Sequence, residues 1–81
     1  MVTIELNEDD ALVLFEFLTR HDELDNESAI TELKIDDPAE LYALWQLHGV
    51  LENTLIEPLS PDYQAMVDAA RAAVRIRWGH K

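Results

Sequence analysis

Hydrophobic and polar positions follow two different periods along this chain. Between residues 2 and 6, apolar Val2, Ile4 and Leu6 alternate with polar residues, and this period of two predicts a short β-strand. From Ala11 onward, apolar residues recur at steps of three and four, the spacing of amphipathic helices. The pattern therefore predicts a mainly α fold in which a short N-terminal strand precedes three helices.

The first helix is expected to run from about Glu8 to about His21. Asn7 precedes it and can cap it, because an Asn side chain accepts a hydrogen bond from a first-turn N–H group. Leu12 falls among the polar residues of this helix, so it is expected to be exposed or covered by another element. The predicted apolar face consists of Ala11, Leu14, Phe15 and Leu18.

The second helix has the clearest start. Asp37 is expected to be its cap, Pro38 its first residue, and Glu40 the carboxylate that completes a capping box. The helix should end before Pro58. Gly49 lies on its polar side, where a glycine costs about 1 kcal/mol relative to alanine. The apolar seam is predicted to be Leu41, Leu44, His48, Leu51 and Leu55.

The third helix is predicted to start in the same way, with Ser60 as its cap and Pro61 as its first residue. Gly79 is a natural stop. The predicted apolar seam is Tyr63, Val67, Ala70, Val74 and Trp78.

The segment from residue 22 to residue 36 has no single pattern. Its first half is a charged loop, and Ser28 could cap a short helical turn. Residues 33–35 alternate and could form a second short strand beside the first. With 81 residues, the chain is expected to be a single domain, 1–81.

The charge is distributed very unevenly. The chain has 17 acidic and six basic residues, a net charge of −11. Residues 1–40 hold 13 of the acids but only Arg20 and Lys34, whereas residues 41–81 hold four acids and four bases. A net charge of about 2 to 8 already keeps a small domain in solution. The acidic half is either a solvated surface or a face for a basic partner, and it lacks the cations for direct nucleic-acid binding.

The composition argues against most forms of catalysis. Cysteine is absent, and the two glycines, both after residue 48, form no phosphate-binding loop. His48 is expected to be a packed histidine with a hydrogen-bonded ring, and His21 to lie at a helix C-terminus. Residues 22–27 lack the central glycine of a calcium loop. We therefore expect no enzyme, no metal and no cofactor. No apolar run suits a membrane span, so we expect a cytoplasmic protein.

Four segments together resemble a group of small uncharacterised bacterial proteins: DALVLFEFL at residues 10–18, LW at 44–45, LE at 51–52 and IEPLSPDY at 56–63. The resemblance covers most of the chain. It implies a bacterial cytosolic protein and no particular activity.

The leading functional hypothesis is a small non-enzymatic module that binds a basic surface of a partner protein. Immunity proteins, antitoxins and nuclease inhibitors are often of this size and negatively charged, because their targets carry cationic clefts. The alternatives are a homodimeric accessory or structural protein whose acidity serves solubility, and a DNA mimic that blocks a nucleic-acid-binding complex. The predicted partner-binding residues are Glu8, Asp9, Asp10, Asp22, Glu23, Asp25 and Glu27.

Overall fold

Within residues 1–22 and 33–79, three α-helices and one short 3₁₀ turn form the main regular elements of this mainly helical protein. The computed structural model describes residues 1–22 and 33–79, apart from the side chains of residues 21 and 22. The elements in chain order are α1 (Glu8–Asp22), α2 (Pro38–Thr54), the 3₁₀ turn (Glu57–Leu59) and α3 (Tyr63–Arg77). The predicted mainly α class and its three helices are confirmed.

Helix α1 begins where its cap predicts. The backbone N–H of Asp10 donates a hydrogen bond to Asn7 Oδ1 across 2.9 Å, and the N–H of Ala11 donates to the Asn7 carbonyl across 3.0 Å. Three carboxylates, Glu8, Asp9 and Asp10, fill the first turn, where the helix dipole favours negative charge.

Helix α2 begins with the predicted capping box. The N–H of Ala39 donates to Asp37 Oδ1 across 2.8 Å. In return, the N–H of Asp37 donates to Glu40 Oε1 across 3.0 Å, and the N–H of Asp36 donates to the same oxygen across 2.7 Å. Pro38 is the first helical residue because its missing N–H would have had no partner within the helix.

Helix α3 begins two residues later than predicted, at Tyr63 instead of Pro61. Ser60 still acts as a polar acceptor: the N–H of Asp62 donates to Ser60 Oγ across 3.1 Å, and the N–H of Tyr63 donates to the Ser60 carbonyl across 3.2 Å. The residues between the 3₁₀ turn and α3 therefore form a separate turn of their own.

The predicted stop at Gly79 is confirmed. Its φ of 79° lies in the left-handed region, which only glycine adopts without strain. Its N–H donates to the Ile76 carbonyl across 3.0 Å, so the turn satisfies one of the carbonyls that a helix end leaves unpaired.

Both predicted strands are wrong, since the structure contains no strand in residues 1–22 and 33–79. Residues 1–7 have no regular structure, and Val2 and Ile4 are 88% and 64% exposed. In the segment 33–35, Lys34 has a φ of 56°, which turns the backbone instead of extending it. An alternating pattern forms a stable strand only with a neighbouring strand to pair with, and the described residues provide none.

The chain divides into two compact units. Unit 1 comprises Met1–Leu14 and Leu55–Lys81, and unit 2 comprises Phe15–Thr54. In unit 1, the fully buried Val67 packs with Leu12 and Ala70, and Val13, Leu55 and Tyr63 lie against them. Among the described residues of unit 2, Phe15, Leu18, Leu41 and Leu51 are buried. The single-domain assignment stays a prediction.

Candidate partner-binding surface

The acids predicted to bind a partner differ in their surroundings at the start of α1. Glu8 is exposed and Asp9 half-buried. Asp10 is already paired: Arg77 Nη1 donates a hydrogen bond to its Oδ2 across 2.7 Å. Of these three carboxylates, Asp10 therefore has its charge compensated inside the chain.

The remaining predicted contacts lie outside the described part of the molecule. Glu23, Asp25 and Glu27 fall between residues 22 and 33, and for Asp22 only the backbone is described. The structure therefore brings together only the three consecutive acids of the first turn of α1. The role assigned to the other four stays a prediction.

A shallow groove lies in unit 1 next to the Asp10–Arg77 pair. Its walls are Leu6, Leu14 and Trp78, and its volume is about 560 Å³. Trp78 is 82% exposed, so its indole is available to a partner. We call this feature the Trp78 groove.

His48 is packed and hydrogen-bonded, as predicted. Its ring stacks on the buried Phe15, with ring centroids 5.1 Å apart and planes at 19°. Its Nε2 lies 3.1 Å from the hydroxyl oxygen of Thr19. This arrangement fixes the orientation of the imidazole. No cluster of three or more His, Asp or Glu residues within the described ranges is placed to hold a metal ion.

Helix α2 has an apolar residue pattern on both of its sides. Leu41 and Leu51 are buried on one side. On the other side, Tyr42, Trp45 and Val50 are 51%, 37% and 52% exposed. We call this second side the α2 outer face; it consists of Tyr42, Trp45, Gln46, Gly49, Val50 and Asn53. Three large side chains of this face are thus exposed among the described residues, next to the polar Gln46 and Asn53.

The α2 outer face combines a rigid aromatic pair with an open position. The rings of Tyr42 and Trp45 are 5.4 Å apart at an angle of 47°, a favourable tilted contact. A Cβ added to Gly49 would meet nothing within 4 Å. The packing of the described chain therefore does not require a glycine here, and Gly49 has no positive φ to explain it.

The unit that contains the α2 outer face has an excess of acidic residues. Unit 2 as a whole has ten acidic and two basic residues, whereas unit 1 has seven acidic and four basic residues. Most of the uncompensated charge therefore belongs to the unit that contains this face.

The sequence analysis placed Gly49 on the polar side of this helix and did not include this surface among the predicted partner-binding residues. The sequence nevertheless contains an indication of it. Residues 41–51 include no charged residue, although 28% of the chain is charged. Three helical turns without a charge leave no charged side chain for the outward side, which is unusual for a surface that only faces water.

Comparison of the chain with protein-family models, with curated proteins and with solved structures finds no match. The resemblance to small bacterial proteins therefore stays a prediction. No described helix is both long enough and apolar enough to cross a membrane.

Proposed function

We propose that this protein is a non-enzymatic interaction module that binds a basic partner protein through the α2 outer face, in the manner of an inhibitor, immunity protein or antitoxin. The observation that carries the proposal is an exposed, uncharged face with two aromatic residues, located in a unit with ten acids and two bases. We place the protein in the bacterial cytoplasm as part of this proposal.

The proposed surface has the anatomy of a protein–protein interface. Such interfaces have a centre that is depleted of charge and enriched in aromatic residues, inside a polar rim. Here the face contains Tyr42 and Trp45, and both are residue types that dominate binding energy.

The acidic excess supports a basic partner in particular. Complementary charge accelerates encounter and excludes wrong partners, and it contributes less to the final affinity than the apolar centre does. Asp22, Glu23, Asp25 and Glu27 belong to unit 2 by their sequence position and add to its negative charge. Glu8 and Asp9 remain candidate contacts from unit 1.

The test is a comparison of two matched double variants on a partner captured with the tagged protein. Substituting Tyr42 and Trp45 together with alanine should weaken binding by at least about 100-fold, because two central aromatics are lost. The control variant has alanine in place of Ile56 and Ile76, which are 75% and 73% exposed in unit 1. Its affinity for the partner should be within threefold of that of the parent. Association should also slow as salt rises. Equal affinity of the two double variants would contradict the proposal.

A specific observation also favours the homodimer alternative. The Trp78 groove lies in unit 1, which contains seven acidic and four basic residues. Two copies would therefore repel each other less through this groove than through unit 2. Sedimentation equilibrium would detect this dimer, and Trp78→Ala should dissociate it. A parent protein that stays monomeric at 100 μM or so would remove the alternative.

A further inference from the structure

We infer that two copies of this chain associate through unit 1, with the Trp78 indole of each copy inserted into the Trp78 groove of the other. The inference goes beyond the proposed function, because it uses residues of unit 1 and none of the α2 outer face. It gives the homodimer considered above a specific contact, in which the second copy supplies the side chain that fills the groove. It follows from the shape of the groove and from the two charges that line it.

The Trp78 groove and the side chain that would fill it belong to one surface patch. Leu6 and Leu14 form apolar walls, and Trp78 forms a further wall that is itself 82% exposed. A two-fold axis brings the same patch of both copies together, so a residue that projects from one copy meets the recess of the other. A patch that contains both a recess and an exposed indole is therefore suited to be its own complement.

The charges at the groove permit a second copy, although the whole chain has a net charge of −11. Asp10 and Arg77 both line the groove and compensate each other, since Arg77 Nη1 lies 2.7 Å from Asp10 Oδ2. Both side chains are about one-third exposed, so both are accessible to a second molecule. In a two-fold arrangement each Asp10 approaches the Arg77 of the other copy, because a guanidinium has five N–H donors and the bond within the chain uses one.

A second copy suits this patch better than a partner of another chemistry does. A strongly basic or acidic surface would gain little attraction at a groove where one acid and one base compensate each other. A purely apolar surface would cover the Asp10–Arg77 pair and remove its water without offering any polar group in return, which costs free energy. A second copy covers the apolar walls and also brings a matching acid and base.

The contact should be small and the dimer weak. A tryptophan buries about 150–250 Å², so two exchanged indoles account for about 300–500 Å². A standard stable interface buries about 1,600 Å² in total, and smaller ones are typical of transient complexes. We therefore expect a dissociation constant of about 1–100 μM.

The experiment measures this dimer by sedimentation equilibrium in two charge variants, separately and mixed. Asp10→Lys leaves two bases at the groove and Arg77→Glu leaves two acids, so each variant alone should dimerise at least tenfold more weakly than the parent. An equimolar mixture should dimerise with an affinity within about tenfold of the parent, because the two altered patches attract each other. An ion pair that acts only within one chain would not show this rescue.

Trp78 itself is tested by substitution and by its fluorescence. Trp78→Ala should weaken the dimer at least tenfold, whereas Ile56→Ala, at a position 75% exposed in unit 1, should leave it within twofold. The chain has two tryptophans, so a Trp45→Phe variant leaves Trp78 as the only reporter. Its emission should shift to longer wavelength on dilution, as the indole returns to water. Circular dichroism checks that each variant keeps its helix content.

The outcomes separate this inference from the proposed function. A parent that stays monomeric at about 100 μM, a Trp78→Ala variant that dimerises normally, or a mixture of folded charge variants that stays monomeric overturns the inference. The proposed function then still depends on the Tyr42 and Trp45 double variant with the captured partner. If that double variant loses the dimer while Trp78→Ala keeps it, copies associate through the α2 outer face, and both the inference and the proposed function fail.

Discussion

Arg77 Nη1 lies 2.7 Å from Asp10 Oδ2, and this ion pair joins the last residue of α3 to the first turn of α1. The pair lowers the number of uncompensated carboxylates at the start of α1. Asp10 was a predicted contact for a basic partner, but its carboxylate already binds a guanidinium of the same unit. The excess of acid in unit 1 is therefore smaller at this point than the run of three acids indicates.

The Asp10–Arg77 pair should contribute little to stability, because both side chains are about one-third exposed. We expect Arg77→Gln to lower the free energy of unfolding by less than about 1 kcal/mol, and by less still in high salt. Urea unfolding at two salt concentrations measures this. A double-mutant cycle with Asp10→Asn removes the separate effect of Asp10 on the helix dipole. A coupling energy above about 2 kcal/mol would contradict this account.

Asn7 should matter more than its exposure suggests, because its side chain caps α1. Asn7→Ala should cost about 1 kcal/mol and lower the melting temperature by about 4–8 °C. Asn7→Ser retains an acceptor oxygen and serves as the control, with a loss of less than half as much. If both variants melt at the same temperature as the parent, the cap is not stabilising α1.

The core of unit 1 should be sensitive at Leu12, which is 5% exposed and packs with Val67 and Ala70. Leu12→Ala should cost about 2–5 kcal/mol, because the loss of buried methyl groups leaves a cavity. A domain of this size has little stability to spare, so far-UV circular dichroism should show a largely unfolded population. Leu59→Ala, at a position 87% exposed, is the control and should change the unfolding free energy by less than about 0.5 kcal/mol.

The hydroxyl–imidazole contact in unit 2 can be tested by changing Thr19 alone. Thr19→Val keeps the shape of the side chain but removes the group that bonds to His48 Nε2, so it should cost about 0.5–1.5 kcal/mol. Thr19→Ser keeps the hydroxyl and should lose less. Thermal unfolding of the two variants gives the comparison. A valine variant as stable as the serine variant would show that the bond contributes nothing.

The helix boundaries could be predicted because they depend on nearby residues. The Asn7 cap, the capping box of Asp37 and Glu40, and the Gly79 stop each involve groups within four residues of one another. The start of α3 was displaced by two residues because Ser60 forms a turn of its own before the helix.

The remaining features depend on contacts that no local pattern contains. The predicted strand at residues 2–6 has no neighbouring strand among the described residues, so its alternation had no structural effect. Leu12 lies on the polar side of α1, yet it is buried because residues of α3, distant in sequence, cover it. The α2 outer face was not predicted, because Gly49 was assigned to a polar side of the helix, although residues 41–51 contain no charged residue.

The most direct test of the central claim is photo-crosslinking from the α2 outer face in the cells that produce the protein. A photoreactive amino acid replaces Gln46, at the centre of the face, or Gln64, which is exposed on α3 and serves as the control. We expect position 46 to crosslink efficiently to one basic protein, and position 64 to give little of that product. Equal yields from the two positions, or a crosslink from position 46 only to a second copy of this chain, would contradict the claim that this face binds a basic partner.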